Sequence, residues 1–224
     1  MTGGQEPTPE LLAVVTSKYW GRGGVRLSVG FLDQPEAELR RKILSHLNSW
    51  GETADVKFVE TAAQGDGHVR IFREPTGDPE WDGYWSYLGT DILEAAGPNN
   101  QTMNLEGFTL ATPDSEFERV VRHEAGHTLG FPHEHMREDL VRRIDVEKAV
   151  DYYARYSGWN RETTIDQVLT PIEEATIRAT AFADPESIMC YQVPAEITTD
   201  GVAIPGGDDI SELDRRFVAK VYPK

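Results

Sequence analysis

Between positions 122 and 137 the chain reads RHEAGHTLGFPHEHMR, a stretch that holds four of its six histidines. On a helix, side chains four residues apart lie one above the other, so His123 and His127 can aim imidazole nitrogens at a single point. Zinc takes neutral nitrogen ligands at about 2.0–2.1 Å, and a rigid helical pair presents them at little entropic cost. A third donor must come from outside the helix. Gly130 permits a sharp turn after it, through which His133 returns to the same point. Three histidines leave a fourth coordination position for water, which is the arrangement of a catalytic zinc site. Glu124 is rotated about a third of a turn from His123, so its carboxylate can reach that water without binding the metal and can pass its proton to a leaving amine. The whole pattern, His123-Glu124-x-x-His127-x-x-Gly130-x-x-His133, is far more specific than a bare two-histidine match.

The histidines need a helix beneath them, and the flanking residues predict one from Ser115 to Leu129. Ser115 and Glu118 stand in capping-box register, Phe117, Val120 and Val121 supply an apolar face, and Gly130 with Pro132 ends the helix. Upstream, the alternation in Val25–Phe31 predicts a strand, Leu39, Ile43, Leu47 and Trp50 predict an amphipathic helix over Pro35–Trp50, and Val56–Glu60 and His68–Phe72 predict two more strands. Trp85–Gly89 and Thr102–Leu105 are shorter strand candidates. Downstream, helices are predicted over Asp145–Tyr156, Thr163–Leu169, Pro171–Ile177 and Ser211–Val221, the last with Ser211 and Asp214 in capping-box register. Strands with one helix come first, and helices with loops follow. This implies an α+β chain with a mixed twisted sheet and the histidine helix in an N-terminal lobe (about 18–130) and a helical, loop-rich C-terminal lobe (about 131–224), together one domain.

Composition narrows the function further. The 224 residues carry a net charge of −16, which argues against nucleic acid as a partner because phosphate binding depends on Lys and Arg. Cys190 is the single cysteine, so an intrachain disulfide is excluded. The N-terminal MTGGQEPTPELLAVV has no basic segment followed by a long apolar run, and no stretch approaches membrane-span length, so neither a signal peptide nor a membrane partner is expected.

The extended histidine pattern resembles that of the metzincin zinc endopeptidases, and Ser187-Ile188-Met189-Cys190-Tyr191 resembles their methionine turn. Within that group HEAGHTLGFPHEH and SIMCY are most similar to the astacin family, a likeness running from about Lys18 to Pro223. The resemblance implies a metzincin-like fold, one catalytic zinc on His123, His127 and His133, Glu124 as the catalytic base, and Met189 as a hydrophobic floor below the histidines. By the same resemblance Tyr191 binds zinc at rest and swings away to stabilise the oxyanion. Glu134 would anchor a buried N-terminus, WSYLG would be an edge strand that pairs with extended substrate, and the protein would be secreted and act on proteins or peptides; a monomer is the default expectation. Cys190 departs from the family, which has histidine there, and is expected to pack as a small buried thiol.

Other residues carry weaker signals. Asp66, Asp78, Asp82, Asp91, Asp208 and Asp209 lie in Gly-containing segments that could take calcium, but none has EF-hand spacing and solvated loop acids are the better reading. His46 and His68 lack ligand spacing and are expected to be structural or exposed. His135 is expected to face solvent or to assist substrate binding, and Gln192–Ile197 to line the pocket for the residue after the scissile bond. Two rival readings remain at this level: a scaffold that keeps zinc as a structural staple, against which Glu124 speaks, and a zinc hydrolase of non-peptide amides.

Overall fold

Alternation along β2 (Val25–Phe31) buries Val25, Leu27, Val29 and Phe31 and leaves Arg26 exposed. This strand is central. It pairs in parallel with β3 (Val56–Glu60) on one side and β4 (Val69–Phe72) on the other, and β4 pairs in parallel with β6 (Met103–Leu105). The parallel connection between β2 and β3 runs through α1 (Ala37–Leu47), whose Leu39, Ile43 and Leu47 are buried, as the helical spacing requires. A 3-10 turn, Asn48–Glu52, continues α1 and buries Trp50. At the far edge, β5 (Tyr84–Ser86) runs antiparallel to β6, giving the order β3-β2-β4-β6-β5. The computed structural model describes residues 13–78, 81–179 and 182–224. The resulting mixed sheet with helices is the α+β architecture expected.

The histidine helix begins as α2 (Asp114–Glu116), passes through a π turn (Phe117–Val121) and continues as α3 (Arg122–Thr128). The expected capping box at Ser115 does not form. Pro113, at φ −56° and ψ 147°, is the N-cap, which moves Ser115 and Glu118 inside the helix, and Asp114 pairs with Lys42 of α1 at 2.6 Å. At the other end Gly130, at φ +95°, takes the left-handed conformation that favours glycine. The Gly130 amide donates to the His127 carbonyl at 2.8 Å and the Phe131 amide to that of Gly126 at 3.0 Å, which is a Schellman motif. The neighbouring carbonyls also have partners, Thr128 from Trp20 Nε1 at 2.8 Å and Leu129 from the Tyr222 hydroxyl at 2.6 Å. A helix end buried this deeply keeps its shape because its last carbonyls are satisfied.

Beyond Phe131 the chain forms short helices, α4 (Glu138–Val141), α5 (Val146–Tyr156, capped by Asp145), α6 (Arg161–Thr164, capped by Asn160) and α7 (Glu212–Val221). The Ser211–Asp214 capping box of α7 is present in both directions. Two expectations change. Thr163–Leu169 divides into the end of α6 and a π turn over Ile165–Leu169. Pro171–Ile177 is a 3-10 turn at Glu174–Thr176 followed by β7 (Ile177–Ala179), which pairs antiparallel with β1 (Ala13–Val15). Cross-strand pairing with a distant segment near the start of the chain overrides local helical preference there.

Two hydrophobic clusters result. The larger joins the sheet, α1 and the histidine helix, and also takes in Ile188, Met189, Phe217, Val218 and Tyr222 from the second half. The smaller gathers Leu140, Ile144, Ala149, Val168, Cys190, Val193 and Ile204. No helix among the described residues is long and apolar enough to cross a membrane.

Candidate active site

The His123 and His127 rings lie 4.6 Å apart, nearly perpendicular, one turn apart on α3. The Schellman turn returns the chain so that the His133 ring comes within 4.5 Å of His127 and 5.4 Å of His123. His127 Nε2 and His133 Nε2 are 3.0 Å apart, and one nitrogen from each of the three lies within 4.8 Å of the others. His123 Nδ1 bonds the Ile188 carbonyl at 2.6 Å and His127 Nδ1 that of Phe131 at 2.8 Å. These carbonyls assign the protons to Nδ1 and leave Nε2 lone pairs pointing inward. His123 Nε2 is buried with no hydrogen-bond partner among the described residues. Burial lowers His123 to about 4 and His127 to about 3 and holds His133 well below its ordinary value, so all three are neutral donors near neutral pH. A three-nitrogen set open on one side suits zinc.

The turn Ser187–Tyr191 packs against the same helix. Met189 is fully buried, and its side chain lies so close to Gly126 that a Cβ there would overlap Sδ. The turn is held by its own bonds, with the Met189 amide on Ser187 Oγ at 3.0 Å and the Cys190 amide on the Ser187 carbonyl at 2.9 Å. Asp214 of α7 then accepts from Ser187 Oγ at 2.7 Å and from the Ile188 amide at 3.1 Å. The capping-box partner of Ser211 therefore also fixes the turn whose Ile188 carbonyl orients His123.

Glu124 is buried, its carboxylate accepting a 2.8 Å hydrogen bond from the Ser86 hydroxyl at the end of β5. Burial raises it to about 7 against the pull of that donor. Tyr191 stands at the rim, 38% exposed, its ring 4.2 Å from His133 and 5.8 Å from His123. Burial raises its phenol. A cleft of about 470 Å³ opens beside these groups, with Tyr84, Arg119, Gln192 and Asp208 in its walls. Of the expected lining Gln192–Ile197 only Gln192 faces it, since Val193 and Ile197 are buried in the smaller cluster. The edge strand lies beside the cleft but covers Tyr84–Ser86 rather than 85–89.

Three neighbours differ from expectation or remain structural. His135 is fully buried, neither solvent-facing nor in the cleft lining. Cys190 packs as a buried thiol, 3.6 Å from the Tyr191 carbonyl, and burial pushes it well above the usual thiol range. Glu134 is buried, accepting from the Asp184 amide at 3.2 Å and from Arg137 at 3.4 Å, and burial raises it to about 8. The N-terminal contact expected of Glu134 involves residues before Ala13, outside the described residues. His46 packs on Phe117 at 5.4 Å, and His68 Nδ1 receives the Ser28 hydroxyl at 2.7 Å. The calcium expectation is not supported: among the described residues the three histidines alone form a metal-capable group, while Asp82 is held by Thr76, Asp91 by Lys18 and Asp209 by Arg122.

Sequence reading missed Ser86, Arg119, Asp208 and Asp214 as parts of this site. Only Asp214 carried a local signal, its capping-box register with Ser211.

A family model described as Astacin, a family of peptidases, matches residues 15–195. The solved structure of myroilysin is 31% identical with a TM-score of 0.83, covering 95% of this chain and 98% of that one. Zinc metalloproteinase nas-27 of Caenorhabditis elegans is 33% identical over 108 residues, 48% of this chain but only 21% of the relative's own length. High choriolytic enzyme 1, a hatching enzyme zinc-protease from the medaka Oryzias latipes, shares the fold at 17% identity, with a TM-score of 0.57 and coverage of 91% and 94%. The chain belongs to the astacin family of peptidases, a family of zinc metalloendopeptidases.

Proposed function

We propose that this chain hydrolyses internal peptide bonds of protein substrates, with His123, His127 and His133 holding one zinc ion, Glu124 moving the proton and Tyr191 donating to the oxyanion. The observation that carries the reading is the convergence of three neutral imidazoles, two of them oriented by main-chain carbonyls on Nδ1, with a buried carboxylate on the helix that carries those two. Zinc, when bound there, supplies a Lewis acid that makes water acidic and polarises a carbonyl. Glu124, poised near 7 by burial, takes a proton from the attacking water and returns it to the departing amine nitrogen. Ser86 holds that carboxylate in one orientation. Tyr191, protonated at any physiological pH, gives its O–H to the oxygen that gains charge as the carbon becomes tetrahedral. The outer edge of β5 offers main-chain groups along which an extended peptide can add as a further strand. The setting we propose, on family likeness alone, is extracellular; a monomer is the default state.

The test is digestion of a denatured protein mixture by the zinc-loaded chain, with sequencing of the new ends. Internal cleavage that disappears in Glu124→Ala, while that variant still binds one zinc, is the expected result. Full cleavage by Glu124→Ala overturns the mechanism, and a zinc-loaded chain that cuts no peptide bond overturns the function.

A further inference from the structure

The one buried histidine outside the proposed metal set packs against both His133 and Tyr191. His135 has no exposed surface. Its ring stacks on that of Tyr191, with centroids 4.6 Å apart and planes 13° from parallel, and it lies 5.1 Å from the His133 ring. Its Nε2 donates to the Gln167 carbonyl at 3.2 Å, and its Nδ1 accepts from the Tyr191 amide at 3.4 Å, the long end of the hydrogen-bond range. One neutral tautomer satisfies both contacts. Gln167 belongs to the π turn Ile165–Leu169, so the imidazole is anchored in the C-terminal lobe and presents a fixed flat surface to the tyrosine.

Tyr191 needs such a surface. It stands at the rim of the cleft, and an oxyanion donor acts only from a defined position. Cys190 on one side and Gln192 on the other give the ring no aromatic face. The rings of His123 and His133, which do lie near, are committed by the proposed chemistry to the metal. The geometry points to His135 as the positioning residue of the oxyanion donor: it anchors the Tyr191 main chain through Nδ1, gives the phenol ring a surface to stack on, and ties both to the Ile165–Leu169 turn. This inference rests on the proposed role of Tyr191.

Because Tyr191 acts on charge that develops in the transition state, loosening it should lower kcat and leave KM nearly unchanged. The experiment is a set of kinetic constants on one internally quenched peptide for the wild type, His135→Ala, His135→Phe, His135→Asn, Tyr191→Phe and the His135→Ala/Tyr191→Phe pair, each with zinc content and melting temperature. Phe keeps the stacked ring and Asn keeps an acceptor near Nδ1. Loss of one hydrogen bond and one ring contact should reduce kcat of His135→Ala about tenfold, with partial recovery in Phe and Asn. In the paired variant kcat should fall no lower than in Tyr191→Phe alone, since the histidine acts through the tyrosine. Losses that multiply in the pair, or a His135→Ala enzyme with undiminished kcat, overturn the inference and leave the Tyr191 role standing. A Tyr191→Phe enzyme with full kcat overturns the tyrosine's role instead. If His135→Ala does not fold, the Phe and Asn variants carry the same cycle. Loss of zinc from all three would assign His135 to the metal site and overturn the inference.

Discussion

Replacement of Gly126 by alanine tests whether the methionine turn is seated against the histidine helix as tightly as the structure has it. Alanine is the better residue inside a helix, by about 1 kcal/mol over glycine. At this position the added Cβ would overlap Met189 Sδ and stand 3.2 Å from its Cε and 3.1 Å from Trp50 Cζ2. Carbon contacts in a packed interior settle near 3.5–4.0 Å, so the sulfur must retreat by about 1 Å or more. Met189 is fully buried, with its turn tied to Ser187, to Glu134 and, through Ser187 and Ile188, to Asp214, so its side chain has to repack to make room. Overpacking of this kind costs about 1–3 kcal/mol, which outweighs the helix gain and leaves Gly126→Ala about 1 kcal/mol less stable, or about 2–4 °C lower in melting temperature.

The decisive quantity is the change of sign in a second background. Met189→Ala alone should cost about 2–5 kcal/mol through the cavity it leaves. With the sulfur gone, the alanine methyl at 126 meets only the 3.1 Å approach of Trp50, partly fills the cavity, and should raise stability by up to about 1 kcal/mol. The two substitutions should therefore couple by about 2 kcal/mol, measured by urea unfolding of the four proteins in excess chelator so that metal occupancy does not enter. Equal effects of Gly126→Ala in both backgrounds, or a stabilised single variant, would refute this account of the seat. The same displacement pushes on the helix carrying His123 and His127, so a competition titration should show weaker zinc binding in Gly126→Ala.

The other contacts make further predictions. Asp214→Ala leaves Ser187 Oγ and the Ile188 and Ser211 amides without their acceptor, which should cost about 3 kcal/mol and lower the melting temperature by about 6–12 °C in calorimetry; a shift below about 2 °C would contradict its part in holding the turn. Ser86→Ala frees the Glu124 carboxylate from its side-chain donor and should reduce kcat about fivefold to tenfold with zinc content unchanged in steady-state assays. Cys190, buried and with its thiolate strongly disfavoured, should react with a disulfide reagent at about pH 8 only after denaturant is added; rapid labelling of the native protein would contradict its burial.

How much of this was legible in the sequence follows from the distance over which each feature is determined. His123, Glu124 and His127 could be read because a helix converts spacing into direction, and Gly130 because a left-handed C-cap has one favoured residue. The strand Val25–Phe31 was readable from alternation alone, with its bounds unchanged in the structure. The Ser115 capping box failed for a local reason of a different kind: two start signals competed within three residues, and Pro113, with φ already set, took the N-cap position before serine could. β1 and β7 were invisible because each is three residues long and exists only through the other.

Within the candidate site the division is sharper. The groups proposed to bind metal and move the proton all fall between His123 and His133 and announce themselves by pattern. The groups that orient them do not: Ser86 reaches Glu124 across 38 positions, Ile188 reaches His123 across 65, and His135 reaches Tyr191 across 56. Serine, a backbone carbonyl and a buried histidine have no distinctive spacing, since what selects them is the surface they meet after folding. A substitution at one of them should therefore leave the motif readable and the metal site assembled while its rate falls, because the motif is written in one short stretch, His123–His133, and its alignment depends on Ser86, Ile188 and His135.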